Sequence, residues 1–450
     1  MQKFITILLI VFSFLSAQSQ SANKLKKQLV NSINMKTSDL TSLSDKIWEA
    51  AEVAFREDKS AEYLIEYAEA NGLIVEKGIA GMPTAFTATY GEGKPVIGII
   101  GEFDALPGLS QDTVPHRHEL IEGGAGHGCG HNLFGTPAEE KFFGKLWMIR
   151  DGVFDDVDIC MDWHPADKTE ANVQPSLALV DFMVEFTGQT AHASVDPWNA
   201  RAANDALELY TAGINAYREH VLPSVRMHYH IQDAGKVVNV VPDYSRIWVR
   251  VRDITKEGLQ PVYEQVRKMA GGAAIMANVE HKVSLISGVH DLLPNRVGGA
   301  ALQKNLETLG DIQYTQEEID FALELQRNNG KPEIGIDGKI RPLRETLNSP
   351  GGGSTDSGDV SYNVPVVSLA ATTVPKGVPW HSWSVVASSG MSIGHKGMLH
   401  AAKALGMTMV DIFKDSKLRE NIKKEFDEKI GEYEYDPYLD PGPPPIDYVD

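Results

Sequence analysis

Apolar positions change period several times between residues 178 and 290. ALVDFMVEFTG reads as a strand, and NARAANDALELYTAGINAYREHV then carries apolar or small side chains at 203, 207, 210, 214, 217 and 221, the stripe of a helix packed on one face. VRMHYHIQ and SRIWVRVRD return to strand character, the second alternating Ile247, Val249 and Val251 against Trp248, Arg250 and Arg252. A helix over GLQPVYEQVRKMAGG and a strand over KVSLISG complete a β-α-β-β-α-β order. That order predicts a ferredoxin-like, split-βαβ sandwich, a compact domain over 178–290 inserted into another.

On either side the pattern is of helices alternating with buried strands. SDKIWEAAEVAFRE predicts a capped amphipathic helix, and SAEYLIEYAEANGL a second, ended by Asn71 and Gly72 in a left-handed cap. TAFTATYGEGKPVIGIIGEFDALPG predicts two strands around a turn at Gly91 to Gly93, with Val96 to Ile100 apolar enough to be buried on both faces. Beyond the insertion come helical EEIDFALELQR, the glycine-rich loop SPGGGSTDSGDVS, the strand VPVVSLAA and the helix GMLHAAKALGMTMVDIF. The fold class is therefore α/β, a doubly wound domain over 22–177 and 291–430. Ligands in such sheets bind beyond the carboxyl ends of the strands, where Glu102 and Asp104 stand. The end of the chain, EYEYDPYLDPGPPPIDYVD, is acidic and rich in proline, which predicts a disordered tail over 431–450.

Composition narrows the function classes. The 450 residues are 42% hydrophobic and 23% charged, ordinary for a globular protein of two domains. Forty-two Lys and Arg against 61 Asp and Glu leave a net charge of −19, which argues against a polynucleotide or an anionic membrane surface as partner. Lys3 ahead of the apolar run Phe4 to Leu15, then small residues at Ala17 and Ser19, predicts a cleavable signal peptide over 1–19 and export to a periplasm or beyond. Twelve apolar residues are too few to span a bilayer, which needs about 20. The two cysteines, Cys129 and Cys160, could form a disulfide in that compartment. Cys129, however, lies among glycines and histidines as a ligand would, whereas Cys160 lies in the apolar run VDICMDWHP.

The stretch GHGCGHNLFGTPAEE, 126–140, concentrates metal-binding chemistry. Nitrogen, sulfur and carboxylate donors are offered by Cys129, His131, Glu139, Glu140, His164 in DWHP and His381 in VPWHSW. Taken singly each has a plainer explanation: a histidine in an apolar context is more often a hydrogen-bonded core residue, and paired glutamates are usually a solvated helix face. Glycines around Cys-x-His are harder to explain so, since glycine is kept where a tight turn or a close approach demands it.

Together GEFDALPGLSQ, GHGCGHN, GTPAEE, DWHP, FTGQTAHASVDPWNARAANDALELY, KVVNVVPDYSRIWVRVRD and TDSGDVS resemble the metal-dependent amidohydrolases of the aminoacylase and carboxypeptidase superfamily, in the branch of the B-type chain of aminobenzoyl-glutamate hydrolase. The resemblance runs from about residue 40 to 415. It implies a catalytic domain interrupted by a lid that pairs two subunits, either as a homodimer or with a homologous second subunit. It further implies two divalent ions, zinc or manganese, held by Cys129, His131, Glu140, His164 and His381, with Asp104 orienting and Glu139 as general base. His192 resembles the lid histidine that steadies the oxyanion in a partner's site, and Asn239 and Arg250 resemble lid residues that hold a substrate carboxylate. The substrate class implied is an N-acyl or aminobenzoyl amino acid, or a small peptide.

One departure stands against this. Only seven residues, Asn132 to Ala138, separate His131 from Glu139, where the family pattern has a helix and a parallel strand. A parallel crossover needs a dozen or more residues. The expectation is that one βα crossover is missing after residue 135, with two alternatives to catalysis: a degenerate, non-catalytic member with a damaged metal site, or a binding protein stabilised by a Cys129–Cys160 bridge.

Overall fold

The computed structural model describes residues 22–133, 137–347 and 352–446. The expected signal peptide, the junction at Gly135 and Thr136, the start of the glycine-rich loop and the last residues of the tail lie outside them.

Two helices, α1 (22–35) and α2 (Thr37–Ala50), open the chain. The second stops at Ala50, seven residues earlier than the pattern predicts, because Ala51 turns left-handed at φ 43° and closes the end on the Ile47 carbonyl. Helix α3 (Asp58–Ala70) follows, and Gly72 at φ 84° reverses the chain after it. Strands β1 (Ile74–Lys77) and β2 (Phe86–Thr89) form a small antiparallel ribbon of their own. The expected pairing of β2 across the Gly91–Gly93 turn is thus replaced by pairing backwards.

The main sheet has the order β3-β4-β10-β5, formed by β3 (Ile97–Ile99), β4 (Ile159–Ala166), β10 (Val366–Thr372) and β5 (Glu170–Asn172). The first three run parallel and β5 runs antiparallel at one edge. β4 and β10 sort their side chains by alternation. Ile159, Met161, Trp163, Val367, Leu369 and Ala371 face α7 (Arg296–Leu309) and α11 (Ser392–Lys414), and Cys160 and Val366 face the other core, around the short helices α4 (Lys145–Arg150) and α9 (Ser357–Ser361). Both faces are therefore covered, as a doubly wound sheet requires. β3 is only half-buried, against the expectation for Val96 to Ile100, because it is an edge strand with a partner on one side alone.

The inserted unit is built from β6 (Ala178–Thr187), α5 (Ala203–Tyr217), β7 (Arg226–Asp233), β8 (Tyr244–Asp253), α6 (Lys256–Ala277) and β9 (Glu280–Val289). Its antiparallel order β7-β8-β6-β9 is that of a split-βαβ sandwich. Ile247, Val249 and Val251 are fully buried against Leu207, Tyr210 and Val266 of the two helices. Helices α8 (Gln316–Asn328), α10 (Trp383–Ser389) and α12 (Ser416–Ile430) complete the first domain. Thr315 and Glu318 close α8 with a reciprocal capping box.

Residues 431–446 do not follow the expectation of disorder. Tyr438 enters the core of the inserted domain and hydrogen-bonds Gln260 Oε1 at 2.8 Å, while Tyr435 donates to Asp359 Oδ1 at 2.9 Å in the first domain. Prolines exclude regular structure there, but buried aromatic side chains hold the segment in place. Among the described residues no helix is long and apolar enough to cross a membrane.

Candidate metal centre

The loop that presents Cys129 and His131 depends on its glycines. Gly130 sits at φ 78°, which an L side chain resists, and a Cβ at Gly128 would come within 2.4 Å of Leu109 Cδ1 and 3.3 Å of the His381 Cα. The backbone contact between the two loops is direct, His381 N–H donating to the Gly128 carbonyl at 3.0 Å. His164 arrives from the carboxyl end of β4, opposite Ala370 of β10. Glu139 and Glu140 arrive from the turn before α4, where Ala138 and Phe143 both take positive φ, 61° and 57°. Glu57 braces that turn, accepting from Ala138 N–H at 2.9 Å.

These pieces converge. Donor atoms of Cys129, His131 and His164 lie within 4.8 Å of one another, and so do those of Cys129, Glu140 and His381. The two groups share Cys129 and between them use all five expected ligands. Cys129 Sγ is 3.5 Å from His164 Nε2, and Glu140 Oε2 is 3.5 Å from His381 Nε2. Asp104 Oδ1 lies 3.2 Å from His131 Nδ1, and its other oxygen accepts the Glu140 backbone N–H at 2.8 Å. One aspartate therefore sets both the ring of His131 and the start of Glu140.

Three residues at the site were not expected there from the sequence. Glu102, noted only for its place at a strand end, puts Oε2 3.1 Å from His131 Nε2. Fully buried Lys145 holds Glu102 Oε1 at 2.9 Å and also pairs with Asp356, whose second oxygen accepts the Lys145 backbone N–H at 3.0 Å. A lone lysine in the helix start GKLWMIR and an aspartate in TDSGDVS carry no local sign of burial, so only the fold could have paired them.

The Lys145 ammonium faces the carboxylates of Asp356, Glu102 and Glu139, and those of Asp104 and Glu140 approach His131. Burial, Glu102, Glu140 and Asp356 together drive the Glu139 carboxyl well up, and burial with Asp104 and Glu102 outweighs His131 to bring Glu140 to about 7. Burial would raise Glu102 too, but Lys145, His131 and His164 hold it at about 2. Burial and cationic neighbours lower both His164 and His381, keeping them neutral and able to donate a lone pair. Burial and Glu140 push the Cys129 thiol up to about 12, so a thiolate forms there only against a cation. His131 Nε2 and Glu140 Oε1 are buried without a hydrogen-bond partner. A negative excess with orphaned donors facing inward fits divalent cations.

The residues expected to act from a lid divide. Arg250 forms a two-pronged pair with Asp181, Nε to Oδ1 at 2.8 Å and Nη2 to Oδ2 at 2.5 Å, and both Arg250 and Arg252 are close enough to help lower His381. His192 and Asn239 lie elsewhere, exposed and beside each other. His192 Nδ1 accepts from Ser194 N–H at 3.3 Å, and the Asn239 carbonyl accepts from Ala193 N–H at 3.1 Å. Neither is in a ligand group. Cys129 and Cys160 are both free thiols, so the bridge that a disulfide-stabilised binding protein requires is not formed.

Comparison with known proteins agrees with this geometry. Residues 178–275 match the peptidase dimerisation domain. The chain is 34% identical to the B-type chain of p-aminobenzoyl-glutamate hydrolase from Escherichia coli, over 86% of this chain and 91% of that one. It is 26% identical to mouse Xaa-Arg dipeptidase, over 91% and 93%. Among solved structures, the Bacillus subtilis YXEP protein, described as a dinuclear metal-binding peptidase of the M20 family, superposes with a TM-score of 0.55 at 17% identity, over 84% of this chain and 99% of that one. The aminobenzoyl-glutamate utilization protein of Klebsiella pneumoniae does so at 0.56 and 17%, over 86% and 98%. Its likeness over most of its length places this chain in the M20 family of metal-dependent amidohydrolases and peptidases, within the aminoacylase and carboxypeptidase superfamily.

Proposed function

We propose that the chain hydrolyses the amide bond of an N-acyl or aminobenzoyl amino acid at a two-metal centre held by Cys129, His131, Glu140, His164 and His381. The observation that carries this reading is the pair of ligand groups joined at Cys129, with buried Glu139 beside them. When bound, two divalent cations, zinc or manganese, supply polarisation of the amide carbonyl and a lowered pKa for the attacking water. Asp104 fixes the His131 tautomer by accepting a hydrogen bond from its Nδ1. Glu139 accepts the proton of the attacking water and passes it to the leaving nitrogen, a task suited to a carboxyl raised by burial. Glu139→Gln should abolish turnover and leave the metal content unchanged. Loss of metal in that variant would make Glu139 a ligand instead.

The lid favours an acidic amino acid on the leaving side. Across β7 and β8 Arg226 stands opposite Arg252 and His228 opposite Arg250, so this pair of strands presents a cationic face. A glutamate-like dicarboxylate suits that face, whereas the guanidinium of an Xaa-Arg dipeptide would be repelled. Asp181 already fixes Arg250, so a substrate carboxylate would share it. Arg250→Ala should raise KM for p-aminobenzoyl-glutamate more than it lowers kcat.

We assign His192 and Asn239 to a partner's site, in a homodimer or beside a homologous second subunit. Val195, Trp198, Val237 and Val238 form an exposed apolar cluster around them, 98% exposed at Val238, of the kind an interface covers. The signal-like start argues for export of the mature chain, which fractionation would test.

The shortened connection reads as one lost βα crossover. The two left-handed non-glycine residues flanking Glu139 and Glu140 support it, and they also support a second reading, a degenerate member that has lost catalysis. Metal content of the purified chain separates the two, since a collapsed site should hold less than one ion per chain.

A further inference from the structure

Glu102 takes no part in the expected ligand set, yet it is built into the centre more firmly than some residues that do. Its Oε1 is fixed by Lys145 at 2.9 Å, and Lys145 is itself anchored by Asp356 through both its ammonium and its backbone N–H. That clamp leaves Oε2 as the free oxygen, 3.1 Å from His131 Nε2. The Nδ1 side of the same ring is occupied by Asp104, so Nε2 is the nitrogen left for a metal, and it is buried with no hydrogen-bond partner. Donor atoms of Glu102, His131 and Glu139 lie within 4.8 Å of one another, a third ligand-competent group beside the two that meet at Cys129.

We propose that Glu102 is a sixth metal ligand, which binds through Oε2 the same cation as His131 Nε2 and is aimed there by the Lys145–Asp356 pair. This rests on the two-metal reading above. The charge pattern explains why a carboxylate would be recruited. Lys145 and Asp356 neutralise each other, so Glu102 brings its full negative charge to the ion while its second oxygen remains held. A carboxylate held at one oxygen binds in a single-pronged manner, which keeps coordination positions open for substrate. Glu139 then stands next to that ion as a base and is not needed as its ligand.

The test uses the full chain, stripped with a chelator and titrated with Co²⁺ against a chromophoric competitor. Glu102→Gln keeps the shape and leaves Lys145 paired with Asp356, so folding should survive; the thermal midpoint of the stripped variant checks this. The parent should bind two ions. In the variant one equivalent should weaken by about 100-fold or more, since losing a residue that merely orients a ligand already costs about 10–100-fold. The thiolate-to-cobalt absorption from Cys129 should persist. Glu102→Asp, with a shorter reach, should fall between the two. Two equivalents bound by Glu102→Gln with the parent's affinity would overturn the Glu102 assignment and leave the two-metal centre standing. A parent that binds no cobalt would overturn both. Should the Gln variant fail to fold, an Asp variant that binds like the parent would overturn the assignment on its own.

Discussion

Glu57 is a buried carboxyl outside the candidate ligand groups that braces the turn carrying Glu139 and Glu140. Its Oε1 accepts from Ala138 N–H and its Oε2 from the Thr84 hydroxyl, both at 2.9 Å, and it is fully buried. Burial first, and then Asp104, raise its pKa from 4.5 to about 8, against the pull of those hydrogen bonds. Between those two values the folded chain holds a proton that the unfolded chain has released, so stability falls as pH rises through that window, by an amount on the order of a few kcal/mol. Glu57→Gln can keep both contacts, the amide oxygen accepting from Ala138 and the amide donating to Thr84. The variant should be at least as stable as the parent at pH 8 and should show a flatter thermal midpoint between pH 5 and 8. Parallel decline of the two midpoints would show that Glu57 is not the group holding the proton. At this scale the residues that converge were legible chiefly through the family resemblance, since Cys-x-His between glycines is suggestive on its own but no more. Glu57, Lys145 and Asp356 were not, since a charged residue shows its burial only when its partner, here 211 residues away for Lys145 and Asp356, is brought to it.

Among the elements, those with a clean period match their sequence pattern, β8 and α5 above all, because one face is buried and the other is not. The mismatches have local causes. β3 is less buried than its composition suggests because an apolar run does not say whether both its edges are paired, and α12 leaves little pattern to read because only Ile422 of its 15 residues is buried. The tail departs furthest from expectation. Tyr433 accepts from Lys256 Nζ at 2.7 Å and lies 2.7 Å from His290 Nε2, and His290 Nδ1 pairs with Asp359 at 2.7 Å. Tyr438 belongs to the core of the inserted domain, whereas Tyr435, Leu439 and Ile446 pack on the first domain. The segment straps one domain to the other across the joints at 176–178 and 289–291. A chain ended at 430 should lose several kcal/mol, about 2–3 for each buried tyrosine, and become open to protease at those joints. An unchanged midpoint and digestion pattern would mean the strap contributes nothing to holding the domains together.

For the whole molecule, the question is how the sheet closes with only seven residues between His131 and Glu139. β3 pairs directly with β4, Ile97 opposite Ile159 and Ile99 opposite Met161, so no strand is left unpaired between them. The closure has a cost in the turn that carries Glu139 and Glu140. Ala138 and Phe143 are left-handed without being glycine, at about 1–3 kcal/mol each, and a Cβ at Gly144 would meet the Pro137 carbonyl at 2.4 Å. The two glutamates consequently hang from a strained turn braced by Glu57, where a strand end would aim them without strain. A helix and strand of the family's kind, inserted between Gly135 and Thr136, would relieve both left-handed residues and bury new apolar surface at about 25 cal/mol per Å². The extended chain should therefore have the higher thermal midpoint and the faster hydrolysis of p-aminobenzoyl-glutamate. The two readouts separate causes: a higher midpoint with unchanged hydrolysis would mean that the turn aims Glu139 as well as a strand does. Equality in both would mean that the direct β3–β4 pairing is a relaxed alternative, and that the positive φ values at Ala138 and Phe143 are a local feature of the turn with no bearing on catalysis.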